Sequence, residues 1–274
     1  DSQFMSIISQ LLQMSQKNSQ KKSQPLFNEQ LWQSYGVRLT LTEVKYAREG
    51  EIMNGCLILK NEDYDVLQFK AREDFAAVIA TTLKRVPANM FYKAKNLKIV
   101  LMPNVEEIED GWDNNYGAFS ETVVEKCFFP KLKRVGTTAF LKCNIKFINE
   151  QSFPALQVIG DQGFAGCQIS SVNLSVLLSI GDNGFEGCKS LKQFSAQKLK
   201  HIGRNCFSSC PELTRISCNL GPENFICEWQ KAHDVLYDCG RCPVCYHDVE
   251  ACLRRGRSGE PEDIQIDHEE VDRV

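Results

Sequence analysis

Between residues 83 and 218 the apolar positions recur in a fixed order, written L-x-x-I-G-x-x-x-F-x-x-C-x-x-L-x-x-I-x-L-P. The clearest copies run from Val135-Gly136 through Phe140 to Cys143, and from Ile159-Gly160 through Phe164 to Cys167. Two more run from Ile180-Gly181 through Phe185 to Cys188, and from Ile202-Gly203 through Phe207 to Cys210. Their phenylalanines stand 24, 21 and 22 residues apart, the period of a stacked repeat. Two looser copies precede them, around Phe91 and Phe119, so about six repeats fill residues 83–218. A unit this short cannot bury its own apolar face, and neighbours must stack into one continuous core.

Within L-x-x-I-x-L the alternation predicts a strand whose named residues point inward while the intervening ones face solvent. That register turns Ile99, Leu101, Phe128 and Phe147 outward in the first three repeats. In the last three it turns out Ser171, Asn173, Gln193, Ser195, Arg215 and Ser217. Solenoids bind through such an extended face. Its apolar half needs a cover, because contiguous exposed apolar surface is rare. The N-terminal segment, the 109–117 insertion and a partner protein are the three candidates. Glycine after the isoleucine is read as permitting a turn, and the recurring Phe and Cys as ladders filling the other side of the coil.

Ahead of the repeats, residues 26–82 read as an α/β cap on the exposed end of the stack. Val37–Val44 alternates like a strand, and so do Cys56–Leu59 and Val66–Phe69 around a turn at Asn61–Asp63. Asp74–Leu83 has the spacing of a short helix, and the segment has room for one decayed repeat. Residues 1–25 read as a flexible leader or an amphipathic helix. Its apolar residues are interrupted by Ser and Gln and follow no basic stretch, unlike a secretory signal.

The repeat is similar to the BspA-type leucine-rich repeat, on the strength of I-G-x-x-x-F-x-x-C joined at fixed offset to L-x-x-I-x-L. The resemblance covers residues 83–218. It weakens where Ser175 and Gln197 replace Pro, where Ala94 and Thr122 replace Cys, and across the 109–117 insertion. It implies a right-handed repeat solenoid with a β-strand ladder and an irregular, short-strand convex side. It also implies binding or adhesion rather than chemistry, with a cell-surface adhesin as one form of that function.

Composition narrows the partners. The 274 residues are 43% hydrophobic and 24% charged with net charge −3, so no positive field points to nucleic acid or an anionic membrane. No apolar run reaches the length of a membrane span. No phosphate loop, G-x-S-x-G or H-E-x-x-H appears among the residues. The expectation is a monomeric, non-enzymatic scaffold for a protein partner.

Thirteen cysteines, an odd number, argue against a complete disulfide framework. They favour a reducing, cytoplasmic location, with the cell surface or secretion as the alternative. Those within the repeats are expected to pack as small hydrophobes, although neighbouring coils bring them near disulfide range. The sequon Asn173-Leu-Ser175 is a triplet common by chance.

Two further stretches carry chemistry. Glu106–Tyr116 is acidic and holds Trp112 and Tyr116. It reads first as a surface loop offering aromatic contacts, and second as a hard-cation site. After the repeats, residues 219–253 form a Cys-rich C-terminal cap or a small zinc-binding segment. Cys239, Cys242 and Cys245 are spaced by three, as in zinc knuckles. Cys252 is taken as fourth ligand, with Cys227, His233 and His247 competing. If zinc is bound there, the chain reads as an adaptor such as a ubiquitin-ligase component; otherwise no cofactor is expected. Residues 254–274 read as a disordered acidic tail.

Overall fold

The computed structural model describes residues 27–62, 64–65, 67–111 and 116–220, together with the backbone of 236–238. The chain is a parallel β-solenoid. One side of its coils is built from β2 (Cys56–Leu59), β3 (Ala77–Ala80), β5 (Ile99–Leu101), β7 (Lys126–Phe128), β9 (Phe147–Asn149), β11 (Ser171–Asn173), β13 (Gln193–Ala196), β15 (Arg215–Cys218) and β16 (Leu236–Asp238). A second side is a six-stranded ladder of two-residue strands. These are β4 (Arg85–Val86), β6 (Glu107–Ile108), β8 (Arg134–Val135), β10 (Val158–Ile159), β12 (Ser179–Ile180) and β14 (His201–Ile202).

The repeat registers as the alternation predicts. Val172 pairs with Ile148 on one side and Phe194 on the other, and Phe194 with Ile216. These residues and the leucines between them fill one core that runs the length of the stack. Phe91, Phe119, Phe140, Phe164, Phe185 and Phe207 form a column of near-parallel rings 5.0–5.9 Å apart. Coil spacing near 4.8 Å imposes the offset stack that such rings prefer. The column starts one coil earlier than the sequence pattern suggests. Phe69 stacks on Phe91 at 5.8 Å, and β2 pairs in parallel with β3.

The glycine after each isoleucine serves close approach between coils rather than an unusual backbone angle. A Cβ on Gly136 would stand 2.4 Å from the Glu109 carbonyl oxygen, inside van der Waals contact. The left-handed residues are instead Thr138, Gln162, Asn183 and Asn205, two places further on, with φ of 53–57°. Asp side chains then tie coil to coil there. Asp161 Oδ1 accepts the Asp182 N–H at 2.8 Å, and Asp182 Oδ1 accepts the Arg204 N–H at 2.7 Å. Asp110 accepts the Thr137 N–H at 2.6 Å and pairs with Arg134 at 2.6 Å. Partial burial pushes the Asp110 carboxyl up, but that N–H and the guanidinium together hold it below its ordinary value.

The cap differs from its sequence reading. Val37–Leu39 is a connection and not a strand, leading from α1 (Glu29–Tyr35) to α2 (Leu41–Tyr46). Asn28 caps α1 by accepting the Leu31 N–H. Thr40 and Glu43 form a reciprocal capping box on α2, which fixes a helix where alternation alone suggested a strand. The segment expected as a helix at Asp74–Leu83 contains strand β3 of the ladder. It is apolar on both faces because it is covered on both faces, by the core and by the cap, so no period of two survives. Leu67–Lys70 is a turn, and β1 (Ile52–Met53) pairs antiparallel with β2.

Candidate protein-binding face

The long-strand side is divided into two ladders, β1-β2-β3-β5-β7 and β9-β11-β13-β15-β16, with no strand pairing between β7 and β9. The division has a local cause. Phe153 takes the core position that Phe129 takes one coil before, and its ring stacks on Phe129 at 5.8 Å. Counting back from Phe153 leaves three surplus residues, 150–152, after Asn149. They form a bulge closed by Asn149, whose Oδ1 accepts the N–H of Gln151 at 3.0 Å and of Ser152 at 3.1 Å. The Phe129 N–H reaches the Ser152 carbonyl instead of the strand.

The cap covers the first ladder and stops at this break. Trp32, Val37, Leu39 and Val44 pack on Cys56, Ile58, Ala77, Ile79, Leu101 and Phe128 in a second apolar cluster. Two residues predicted to face solvent are therefore buried, Leu101 at 0% and Phe128 at 1% exposure. Their outward register is correct, but the helices lie over them, and neither is available to a partner. Ile99 is half-buried against the same cluster. The N-terminal segment is the cover for these residues.

Beyond the break no described segment lies over the outward rows. Phe147 is 58% exposed, the only exposed large hydrophobic on the second ladder among the described residues. Asn173, Gln193 and Arg215 are exposed, and Ser171, Ser195 and Ser217 half-buried. The register aligns Phe147, Ser171, Gln193 and Arg215 in one row, and Asn149, Asn173, Ser195 and Ser217 in the next.

A crevice of about 270 Å³ opens where cap, break and open ladder meet, lined by Ser34, Tyr35, Lys126, Phe147, Asn149 and Ser152 among others. The Tyr35 ring packs edge-on against Phe128 at 6.1 Å. Burial pushes its hydroxyl up to about 12, with Cys127 adding to the rise and a hydrogen bond to Ser152 opposing it. The Lys126 ammonium approaches the Tyr35 carbonyl at 3.4 Å. Sequence reasoning passed over this crevice. Its one signal was the surplus before Phe153.

Tyr116 does not join this face. It lies in a coil turn, 40% exposed, its ring stacked on Tyr92 at 4.2 Å. Trp112 and the cysteines 239, 242, 245 and 252 lie outside the described residues, as do the leader and the acidic tail. Among the described residues no group of three His, Cys, Asp or Glu side chains is placed to hold a metal ion. No described helix is long and apolar enough to cross a membrane.

The repeat cysteines have a polar role beyond filling space. Cys143, Cys167, Cys188 and Cys210 each direct Sγ at the carbonyl oxygen of the phenylalanine one coil back, at 2.8, 2.9, 3.2 and 3.1 Å. All eight described cysteines are buried.

No curated protein sequence matches the chain. A leucine-rich repeat protein from Bacteroides ovatus ATCC 8483 is similar at 16% identity, over 58% of this chain and 54% of its own, with a TM-score of 0.26. The chain thus matches about half the length of that protein, and the likeness is too slight to carry an argument. The BspA type leucine rich repeat region matches in six copies over residues 76–146 and 113–225. That span exceeds half of the sequence, and with the coil geometry above it makes the chain a member of the BspA-type leucine-rich repeat family.

Proposed function

We propose that the protein is a non-catalytic interaction scaffold that binds another protein through the open half of its long-strand face. Membership of a leucine-rich repeat family of binding and adhesion proteins supports the class of function. The observation that carries the site is the division of the face. The cap buries Leu101 and Phe128 on the first ladder, whereas among the described residues no segment lies over the outward rows of β9, β11, β13 and β15, which begin at the exposed Phe147.

The test is affinity capture with the full chain and two variants of equal bulk. Asn173→Arg with Ser195→Arg blocks the open face, and Ser179→Arg with His201→Arg marks the short-strand side as control. Loss of partner with the first pair alone supports the reading. Retention with the first pair, or loss with the control, overturns it.

A further inference from the structure

The break between β7 and β9 sets two strand edges against one crevice. In the intact parts of the ladders the Leu174 N–H donates to the Ser195 carbonyl and the Met102 N–H to the Phe128 carbonyl, each at 3.0 Å. The third residue of a long strand therefore bonds back to the coil before it. Because the direction alternates along a strand, the first residue also bonds back and the middle one bonds forward. By that parity Phe147 turns its N–H and C=O towards β7, and Cys127 turns its own towards β9. No strand pairing joins the two. The Asn149 carbonyl is turned away into the bulge, where it accepts the N–H of Ser152 at 3.2 Å and of Phe153 at 2.9 Å. Cys127, Phe147 and Asn149 all line the crevice. A strand edge of this kind is a template for another main chain. Net charge does not choose the occupant, since Glu125 and Lys126 line the same crevice and offset one another.

We infer that the partner docks a short, extended, uncharged segment in this crevice, paired through its main chain with the Phe147 edge of β9. The inference rests on the reading of this face as the binding site and names the partner's chemistry there. The volume of about 270 Å³ lies at the small end of ligand pockets. It is too narrow for a helix of roughly 10–12 Å diameter and admits a few extended residues. β9 is three residues long, so pairing covers about 10 Å at roughly 3.3 Å per residue. The groups offered are the N–H and C=O of Phe147 and the N–H of Asn149. Side chains on the docked segment alternate between the two faces. Those level with Phe147 and Asn149 point outward, and the one beside Phe147 is apolar, against that ring and Tyr35. The residue between them points into the core layer, which the buried Ile148 and Cys127 already fill. That residue is therefore glycine.

The probe is a fluorescein-labelled peptide, Ser-Ser-Val-Gly-Val-Ser-Ser, which fits either strand direction, titrated with the full chain by fluorescence anisotropy. One comparison peptide is N-methylated at both valines and the glycine, which keeps the side chains and removes the main-chain donors. Another carries Leu for the Gly. Ser34 is exposed at the crevice, so Ser34→Trp fills it from the helix side, and Phe147→Ser removes the ring. The expected result is binding of the parent peptide, weakened at least tenfold by either peptide change and by either variant. Unchanged thermal unfolding of the variants shows that the fold is kept. The inference is overturned if the parent peptide fails to bind at millimolar concentration, or if the N-methylated peptide binds as well. It is overturned equally if Ser34→Trp and Phe147→Ser leave binding intact. Binding that appears only once residues 1–26 are deleted assigns the crevice to that segment instead. A dimer in sedimentation that Ser34→Trp abolishes assigns it to a second copy of the chain, and either outcome overturns the inference. Should it fail while the Asn173 and Ser195 pair still abolishes capture, the face remains the site and only the occupant of its crevice has been misassigned.

Discussion

The Cys167 thiol sits 2.9 Å from the Phe140 carbonyl oxygen, which also accepts the Cys143 N–H of its own coil at 3.2 Å. One carbonyl thus joins a turn within a coil to the side chain of the next. Thr122 holds the equivalent position two coils earlier, its hydroxyl 2.8 Å from the Phe119 carbonyl. From Thr122 onward the position holds a small buried donor, whereas the first coil fills it with the fully buried Ala94. Cys167→Ala removes the donor and opens a small void, for an expected loss of about 1–2 kcal/mol. Cys167→Ser keeps a donor and should cost less. Urea unfolding of both variants decides the point: a thiol acting only as apolar filler would make serine the worse substitution.

The same burial makes the repeat thiols chemically inert. Desolvation pushes Cys127, Cys167, Cys188 and Cys206 well above their ordinary value, and Cys56 up to about 12. The thiolate is the reactive form, so native protein at pH 7.5 should expose to a thiol reagent no more than the five cysteines that follow Cys218. All thirteen should react in denaturant after reduction. Fast labelling of Cys188 or Cys206 in the native state, read by mass spectrometry, would contradict the buried ladder.

Alkaline pH should unfold the solenoid through these same groups. Their folded values lie above the ordinary one near 9, so the unfolded chain loses these protons first and binds fewer of them as pH rises. The stability they contribute is full below pH 9 and falls above it until the folded thiols ionise, which for Cys56 is near 12. Each thiol takes on the order of 1.4 kcal/mol per pH unit in that window. The Tyr35 hydroxyl, also raised to about 12, adds in the same direction above pH 10. Circular dichroism from pH 7 to 11 should show a steep cooperative loss between pH 9 and 11. A thermal midpoint constant across that range would refute the mechanism.

Two glycines separate close packing from backbone strain. A Cβ on Gly136 meets only backbone, at 2.4–2.6 Å from Glu109 and Ile108, and neither coil can yield without parting from its neighbour. Gly136→Ala should cost about 3 kcal/mol or more. Gly166 has φ of +67°, and its nearest neighbour would be the flexible Lys142 side chain at 3.1 Å. Gly166→Asn, a residue that tolerates the left-handed region, should cost less than about 1 kcal/mol. Chemical denaturation midpoints would rank them, and the reverse order would show that conformation rather than coil spacing selects the first glycine.

The repeat was legible because the core constrains it at every coil. Phe140, Phe164 and Phe185 must stack on one another, and a stack of this kind repeats its residue types. The cap was not, because its rules are local and mixed. Val37, Leu39, Leu41 and Val44 fit a strand pattern, and only the Thr40–Glu43 pair marked the start of a helix. The outward register of Leu101 and Phe128 was read correctly, and their burial was not, since exposure depends on what another segment covers. Pattern reports which face a side chain is on. It does not report what lies over that face.

The division of the face gives the last prediction, which opposes two aromatics some hundred residues apart. Trp32 is 1% exposed and packs edge-on against Phe27 at 5.3 Å within the cluster that buries Leu101 and Phe128. Trp32→Ala should cost about 3–5 kcal/mol and, by loosening the cap, bring a hydrophobic dye to the surface. Phe147 lies across the break, more than half exposed, and its truncation leaves no cavity. Phe147→Ser should change stability by no more than about 0.5 kcal/mol while weakening partner capture. Differential scanning calorimetry on the pair separates the roles. A large loss of stability at Phe147 would mean that this ring completes the cap's apolar cluster, and the binding face would then begin one coil later, at Ser171 and Asn173.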